Sequence, residues 1–421
     1  MVGIFGDVIM NPVEDIASLL GVAVEDDSPS PKGADKATWA KLSIDEDSNT
    51  PHKTVDNVAT ILENDPEYQS LCYNAHSNRM LFKGKMIEDN TIQIIRRDIE
   101  VRYYLTRPSK EVSDIVQMVA TSNSIEPIRD YLNSLSWDGK ERLTKLFENV
   151  FKAEVTDHTR PLIEAMSRKW WISLVARIMN PGCEVHSCLV LVGGKGIGKS
   201  SCMKILAGRE WWSDSDLHIG HKNAQELLHS SGVWCWEFSE MSSLQGKSAS
   251  VTKQFLTQAK DDYRPSYARF PVSRDRRTVF YATTNDFQFL SDGTDRRFWI
   301  LNITEMMDLD YLHRWRDEIW AEALAAYQVG EDWFLDDEME KQTLPIYQQA
   351  YLVEDPWAYE VIECVEKSTS KITIGDIMKS IELPVAQRHS GNSRRISQIL
   401  RDAGYFKKVI RGKTYWSKGG E

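Results

Sequence analysis

Between residues 54 and 151 apolar residues recur at three- and four-residue spacing, which predicts helices over 55–62, 92–105, 110–121 and 125–135. A strand-like patch, Arg79-Met80-Leu81-Phe82, interrupts them and turns at Lys83-Gly84. The pattern describes a small, mainly α accessory domain over residues 54–155. A helical stretch over 161–179, rich in Trp and Arg, then leads into a continuous apolar run, Leu189-Val190-Leu191-Val192. Further apolar runs at 233–236, 277–283 and 298–303 read as strands, with a helical stretch over 223–229 before the first of them. Strands separated by helical stretches make residues 156–350 an α/β core, closed by helices expected over 311–327 and 336–351, the first suited to be a lid.

The two ends of the chain have a different pattern. Residues 25–48 mix acids with Pro29, Pro31, Gly33 and serines, a composition that buries too little apolar surface to order itself. Residues 1–53 are therefore expected to be a flexible acidic segment, with one short amphipathic helix over 13–20 that could dock on a partner. From residue 351 onward, helices are expected over 358–367, from Thr373, and over 393–403. Strand 406–410, a turn at Arg411-Gly412-Lys413 and strand 414–416 follow. Three short helices and a hairpin with a basic tip resemble a winged helix-turn-helix.

The chemistry gathers where the apolar runs end. After Val192 comes Gly193-Gly194-Lys195-Gly196-Ile197-Gly198-Lys199-Ser200-Ser201, with helical spacing resuming at Met203, Ile205 and Leu206. Strand, glycine-rich loop and helix in this order are the context of a phosphate-binding loop. Its glycines let backbone N–H groups close round phosphates, Lys199 brings a charge to the β- and γ-phosphates, and Ser200 offers a hydroxyl to Mg²⁺. The expected ligands are ATP and Mg²⁺. Run 233–236 ends in Glu237-Phe238-Ser239-Glu240, acids suited to a metal or to the attacking water. Glu237 is assigned to the metal and Glu240 to the water, with the reverse assignment open. Run 277–283 ends in Thr284-Asn285, and Asn285 is the candidate to sense the γ-phosphate. Arg296 and Arg297, just before strand 298–303, are candidates to stabilise a transferring phosphoryl group, in their own subunit or a neighbour's.

Charge changes the picture locally. The 421 residues carry a net charge of −11, which argues against indiscriminate nucleic-acid binding. Yet residues 253–277 alternate cations with aromatics, and Lys253, Lys260, Arg264, Tyr267 and Arg269 are the candidates there for contact with a DNA strand. From Arg388 to the end, nine cations stand against two acids, and Arg394, Arg395, Arg411 and Lys413 are candidates for a second DNA contact, with protein docking as the alternative. Six scattered cysteines without a CxxC pair indicate neither a disulfide framework nor a zinc site. Cys183, His186 and Cys188 lie close together but lack a second ligand pair, so they are expected to pack. No apolar run is long enough to span a membrane, so a soluble, cytoplasmic protein with no membrane partner is expected.

Taken in order, the glycine-rich loop, the Glu237/Glu240 tip, Tyr263-Arg264-Pro265, Ala282-Thr283-Thr284-Asn285 and Asp295-Arg296-Arg297-Phe298-Trp299 resemble the virulence-associated protein E family. These are P-loop proteins of phages and mobile elements related to superfamily 3 helicases. The segment 127–139 is similar to the one that precedes the family's ATPase core. The resemblance implies an AAA+-like core, a hexameric ring, and ATP-driven movement along single-stranded or forked DNA in the cytoplasm of a bacterial host. It also implies that Lys199, Ser200, Glu237, Glu240, Asn285 and one of Arg296 or Arg297 hold the family's roles. The sequence departs from many superfamily 3 members in separating its two strand-tip acids by Phe238 and Ser239. Some relatives carry a primase domain, for which residues 1–53 are too short, so priming would need a separate primase or polymerase. A DNA-binding initiator or loader whose ATPase only switches assembly shares every nucleotide-site residue with a helicase. A small-molecule kinase would share the loop but leave the Arg296-Arg297 element and the basic C-terminus without a use.

Overall fold

The computed structural model describes residues 33–221, 223–239, 249–266, 268–290, 295–353, 355–368, 372–410 and 412–418. The chain divides into two compact units, Met1–Tyr131 and Leu132–Glu421. Among the described residues, no helix is long and apolar enough to cross a membrane. The 13–20 helix lies outside the described residues.

In the first unit, helices Val55–Asn64, Asp89–Tyr103 and Ser109–Ser122 form where the apolar spacing placed them. Thr54 caps the first by accepting from the Asn57 N–H. Their inner faces, including Val58, Ile61, Ile95, Ile99 and Val116, make one core. The unit is more mixed than expected. Strand Arg79–Phe82 is one of four in a sheet with Lys85–Met86, Cys72–Asn74 and Ser124–Ile125, each too short to show a period in sequence.

Residues 33–53 also depart from expectation, since they are ordered. Asp35 caps a short helix, Lys36–Trp39, and Trp39 stacks on Tyr103 with ring centroids 6.2 Å apart. Asn57, fully buried, donates through Nδ2 to the Ser43 and His52 carbonyls at 2.7 and 2.8 Å and so pins the segment. One indole and one amide outweigh an acidic composition.

Residues 132–155, expected to belong with the N-terminal helices, pack in the second unit. There Phe147 and Phe151 meet Trp170 and Trp171 of helix α1 (Arg160–Met179). Five core strands follow in chain order: β1 (Cys188–Gly193), β2 (Trp212–Ser213), β3 (Cys235–Ser239), β4 (Val279–Thr284) and β5 (Phe298–Ile303). All pair in parallel, in the order β5-β1-β4-β3-β2. Parallel neighbours need crossovers, and helices such as α2 (Lys199–Ala207) and α3 (Ala224–Ser231) supply them. Helix α4 (Leu309–Gln328) packs beside α1 and α2, where Trp320 lies 4.2 Å from Trp234, and its indole donates to the Leu206 carbonyl at the end of α2. Buried on both faces, β1 reads as an unbroken apolar run.

The helix expected over 336–351 forms as one helical run over 337–351, with a widened π-helical stretch, Met339–Thr343, a middle piece, Leu344–Gln348, and a tightened last turn, Gln349–Tyr351. Pro345, which has no N–H to donate, sits in the first turn of the middle piece. Beyond it, helices Ala358–Lys367, Ile374–Ser380 and Ser390–Asp402 gather round Val361, Ile377, Ile396 and Leu400. They close with an antiparallel hairpin, Tyr405–Ile410 with Lys413–Lys418.

Candidate functional site

The glycine-rich loop leaves the carboxyl end of β1 and turns into α2 at Lys199. Gly193 has φ of +153°, and a Cβ there would lie 2.5 Å from the Ile303 carbonyl oxygen and 2.7 Å from Ile197 Cδ1. Gly198 adopts a left-handed φ of +101° at the helix cap. The loop therefore needs glycine at both ends for reasons of space and backbone.

Lys199 lies over its own loop, where Nζ donates to the Gly193 and Gly194 carbonyls at 2.5 and 2.7 Å and to Asn285 Oδ1 at 3.1 Å. Burial lowers its pKa and the Glu237 charge partly restores it. Ser200 Oγ donates to Glu237 Oε1 at 2.7 Å. Glu237 is only 2 % exposed and is held by two more hydroxyls, Thr283 at 2.8 Å on Oε1 and Tyr281 at 2.6 Å on Oε2. Trp212 Nε1 in turn donates to the Tyr281 hydroxyl at 2.7 Å. A cavity of about 450 Å³ opens over Lys199, Ser200, Glu237, Thr283 and Asn285, bordered also by Lys195, Ser239, Thr284, Met306 and Leu309.

Among the described residues, no cation pairs with Glu237, and no group of three or more His, Cys, Asp or Glu could hold a metal ion. A buried carboxylate held only by neutral hydroxyls, with a serine oxygen beside it, is a donor set suited to a hard cation that draws its other ligands from phosphate and water. The loop and Lys199 are groups that could hold phosphate.

The parallel register decides where the arginines stand. Phe298 pairs with Cys188 and Ile303 with Gly193, so Arg296 and Arg297 precede the end of β5 farthest from the loop. Five residue steps along the strand, from Phe298 to Ile303, separate those ends by about 17 Å. Arg296 is exposed and pairs with Glu340 at 3.0 Å, and Arg297 pairs with the buried Asp295 at 3.1 Å. Neither reaches the cavity of its own chain.

A family model described as the virulence-associated protein E-like domain matches residues 132–352, just over half of the chain. The chain belongs to this family. Its virulence-associated protein E-like domain begins where the second compact unit begins and contains the whole cavity, while the helices from Ala358 onward lie beyond it. A comparison with curated proteins found no match. Solved structures similar to the chain include the apo structure of the NrS-1 C terminal region (305–718), 12% identical with a TM-score of 0.47 over 84% of this chain and 99% of that one. Another is the A form apo structure of NrS-1 C terminal region-CTR, 11% identical with a TM-score of 0.43 over 83% and 96%.

Within the virulence-associated protein E-like domain, the basic stretch forms a hairpin, Lys260–Tyr263 with Val272–Asp275. Arg264 and Arg269 stand exposed at its tip beside Phe270, while Lys260 is exposed on a strand and pairs with Asp275 at 3.3 Å. Lys253 is different, because its Nζ lies 2.7 Å from the buried Asp295 in an internal ion pair. At the hairpin base Asp261 and Arg276, both fully buried, pair with each other, and His229 Nε2 lies 3.0 Å from Asp261. Outside the family domain, Arg394 and Lys413 are exposed. Arg395 instead holds Asp355 through two hydrogen bonds of 2.7 and 2.8 Å and stacks on Trp357. Lys253 and Arg395 thus make internal contacts. Glu240, Tyr267 and Arg411 lie outside the described residues.

Sequence reasoning missed Tyr281, Thr283 and Trp212. A hydroxyl at every second position of a buried strand beside the Glu237 strand was the signal for the first two.

Proposed function

We propose that this chain is an ATP-dependent DNA helicase for the replication of a phage or mobile element, working as a hexameric ring on single-stranded or forked DNA. The observation that carries the reading is the convergence of Lys199 and Ser200 from the start of α2, Glu237 from β3 and Asn285 from just after β4 on one cavity. The order β5-β1-β4-β3-β2, with the glycine-rich loop after an inner strand, supports an AAA+-like P-loop core. In this reading the loop from Gly193 to Ser201 holds the ATP phosphates, with the N–H groups that open α2 and Lys199 supplying positive charge. Ser200 and Glu237 hold Mg²⁺, which neutralises charge on the phosphate oxygens when bound. Asn285, already touching Lys199, is placed beside the γ-phosphate, and Glu240 orients water.

The distance of Arg296 and Arg297 from their own cavity favours a neighbour's nucleotide as their target, so the site is complete only between subunits. The exposed cations of the Lys260–Asp275 hairpin tip and of the C-terminal hairpin, read as the wing of a winged helix-turn-helix, contact DNA. A separate primase or polymerase supplies priming, and the protein works in the bacterial cytoplasm.

Mixing subunits tests the shared site. Lys199→Ala and Arg297→Ala proteins, each inactive alone, should regain hydrolysis when combined, because an Arg297→Ala subunit keeps its loop and takes an arginine from its neighbour; if Arg297→Ala alone stays active, Arg296→Ala replaces it in the mixture. Loss of such an arginine costs on the order of a thousandfold or more. No rescue with either arginine variant, together with a rate strictly proportional to protein concentration, contradicts catalysis in trans.

A further inference from the structure

The hydrogen-bond chain behind Glu237 has a fixed direction. An indole N–H can only donate, so at the 2.7 Å contact between Trp212 Nε1 and the Tyr281 hydroxyl the phenol oxygen must accept. The phenol proton is then committed to Glu237 Oε2, 2.6 Å away. Tyr281 is fully buried, so no water competes for that proton. β3 and β4 pair with Tyr281 directly opposite Glu237, so the contact is set by strand register and not by a mobile loop.

The two oxygens of Glu237 are therefore unequal. Oε2 is tied to the sheet through Tyr281 and Trp212, both outside the cavity lining, whereas Oε1 faces the hydroxyls of Ser200 and Thr283. Those two hydroxyls can rotate and give up the oxygen when a cation arrives.

We propose that Tyr281 is a positioning residue of the site, holding the Glu237 carboxylate so that Oε1 is presented beside Ser200 to the divalent cation, with Trp212 fixing the direction of the phenol proton. This rests on the reading of Glu237 as the Mg²⁺ ligand. Tyr281 touches neither nucleotide nor metal, and its effect passes through Glu237. Groups that orient a metal ligand in this way typically govern affinity by roughly 10- to 100-fold.

The test compares full-length wild type, Tyr281→Phe and Glu237→Gln, measuring the affinity for a fluorescent ATP analogue across a Mg²⁺ titration, with thermal unfolding as the control. Tyr281→Phe keeps the ring and removes only the hydroxyl. It should leave affinity in EDTA unchanged, raise the half-saturating Mg²⁺ by roughly tenfold or more, and recover at high Mg²⁺. A purely structural role would lower the unfolding temperature without moving the Mg²⁺ midpoint. A wild-type midpoint in Tyr281→Phe alongside a shifted one in Glu237→Gln overturns the proposal and leaves Glu237 as ligand. An unshifted midpoint in Glu237→Gln overturns the ligand assignment itself. If Tyr281→Phe does not fold, Trp212→Phe removes the donor behind the phenol and should shift the midpoint in the same direction; no shift there overturns the proposal.

Discussion

Asp261→Ala is the perturbation whose cost follows most directly from the structure. Asp261 accepts from Arg276 Nε at 2.9 Å and from Arg276 Nη2, and it meets His229 Nε2 at 3.0 Å, all at the base of the hairpin proposed to contact DNA. Both members of the pair are fully buried. Removing the carboxylate leaves the Arg276 guanidinium with the Phe255 carbonyl and Gln258 Oε1 as acceptors but without its counter-charge. Breaking one side of a buried pair costs about 3–5 kcal/mol, and the acceptors that remain favour the lower end, about 3 kcal/mol. At about 2–4 °C per kcal/mol, thermal unfolding should fall by roughly 6–12 °C.

The same variant makes a statement about pH. Burial opposes ionisation of Asp261, but hydrogen bonds from His229 and Arg276 outweigh it and hold the carboxyl below its ordinary value. A depressed carboxyl stabilises above its unfolded pKa, near about 4, and that stability is lost as pH falls through the folded value. The gap between wild type and Asp261→Ala should thus be full at neutral pH and narrow in acid. Replacing both partners, Asp261→Leu with Arg276→Met, should be less destabilising than either single change, because no charge is left buried alone. Unfolding of Asp261→Ala within a degree of wild type, or a double variant worse than both singles, would refute the reasoning.

Gly193→Ala should abolish binding of an ATP analogue, since its Cβ would meet the Ile303 carbonyl at 2.5 Å and push the loop off β5; unchanged affinity would show that the loop relaxes freely. Arg394→Ala should weaken binding of duplex DNA and reduce its salt slope by about one contact, leaving unfolding unchanged. Arg395→Ala should loosen the helices from Ala358 onward, seen as faster amide exchange, because it loses both Asp355 and Trp357.

How much of this was legible in the sequence depended on how local the cause was. Strand Phe298–Ile303 and helix Ala358–Lys367 were readable to the residue because burial of a whole run or of one face writes itself into hydrophobic spacing. The glycine-rich loop was readable because its backbone requirements fall on consecutive residues. The partners of Lys253 and Arg395 were not legible because charge can be counted along a chain while pairing across the fold cannot; Asp295 and Asp355 pair with them from distant segments. Tyr281 and Thr283 pass for ordinary strand residues until the β3–β4 register sets them against Glu237. Residues 33–53 look disordered by composition, yet Trp39 and Asn57 hold them through contacts that no local average contains.

Strand displacement on a forked DNA duplex, with ATP and Mg²⁺, by wild type and by Lys199→Ala tests the central claim most directly. The account predicts ATP-dependent unwinding by wild type and none by Lys199→Ala, which should still fold, since its side chain contacts the Gly193 and Gly194 carbonyls and Asn285 and not the core. Wild-type protein that hydrolyses ATP and binds the fork without separating its strands would contradict the helicase assignment and identify an ATP-switched initiator or loader. Unwinding by Lys199→Ala at the wild-type rate would remove the glycine-rich loop from the mechanism altogether.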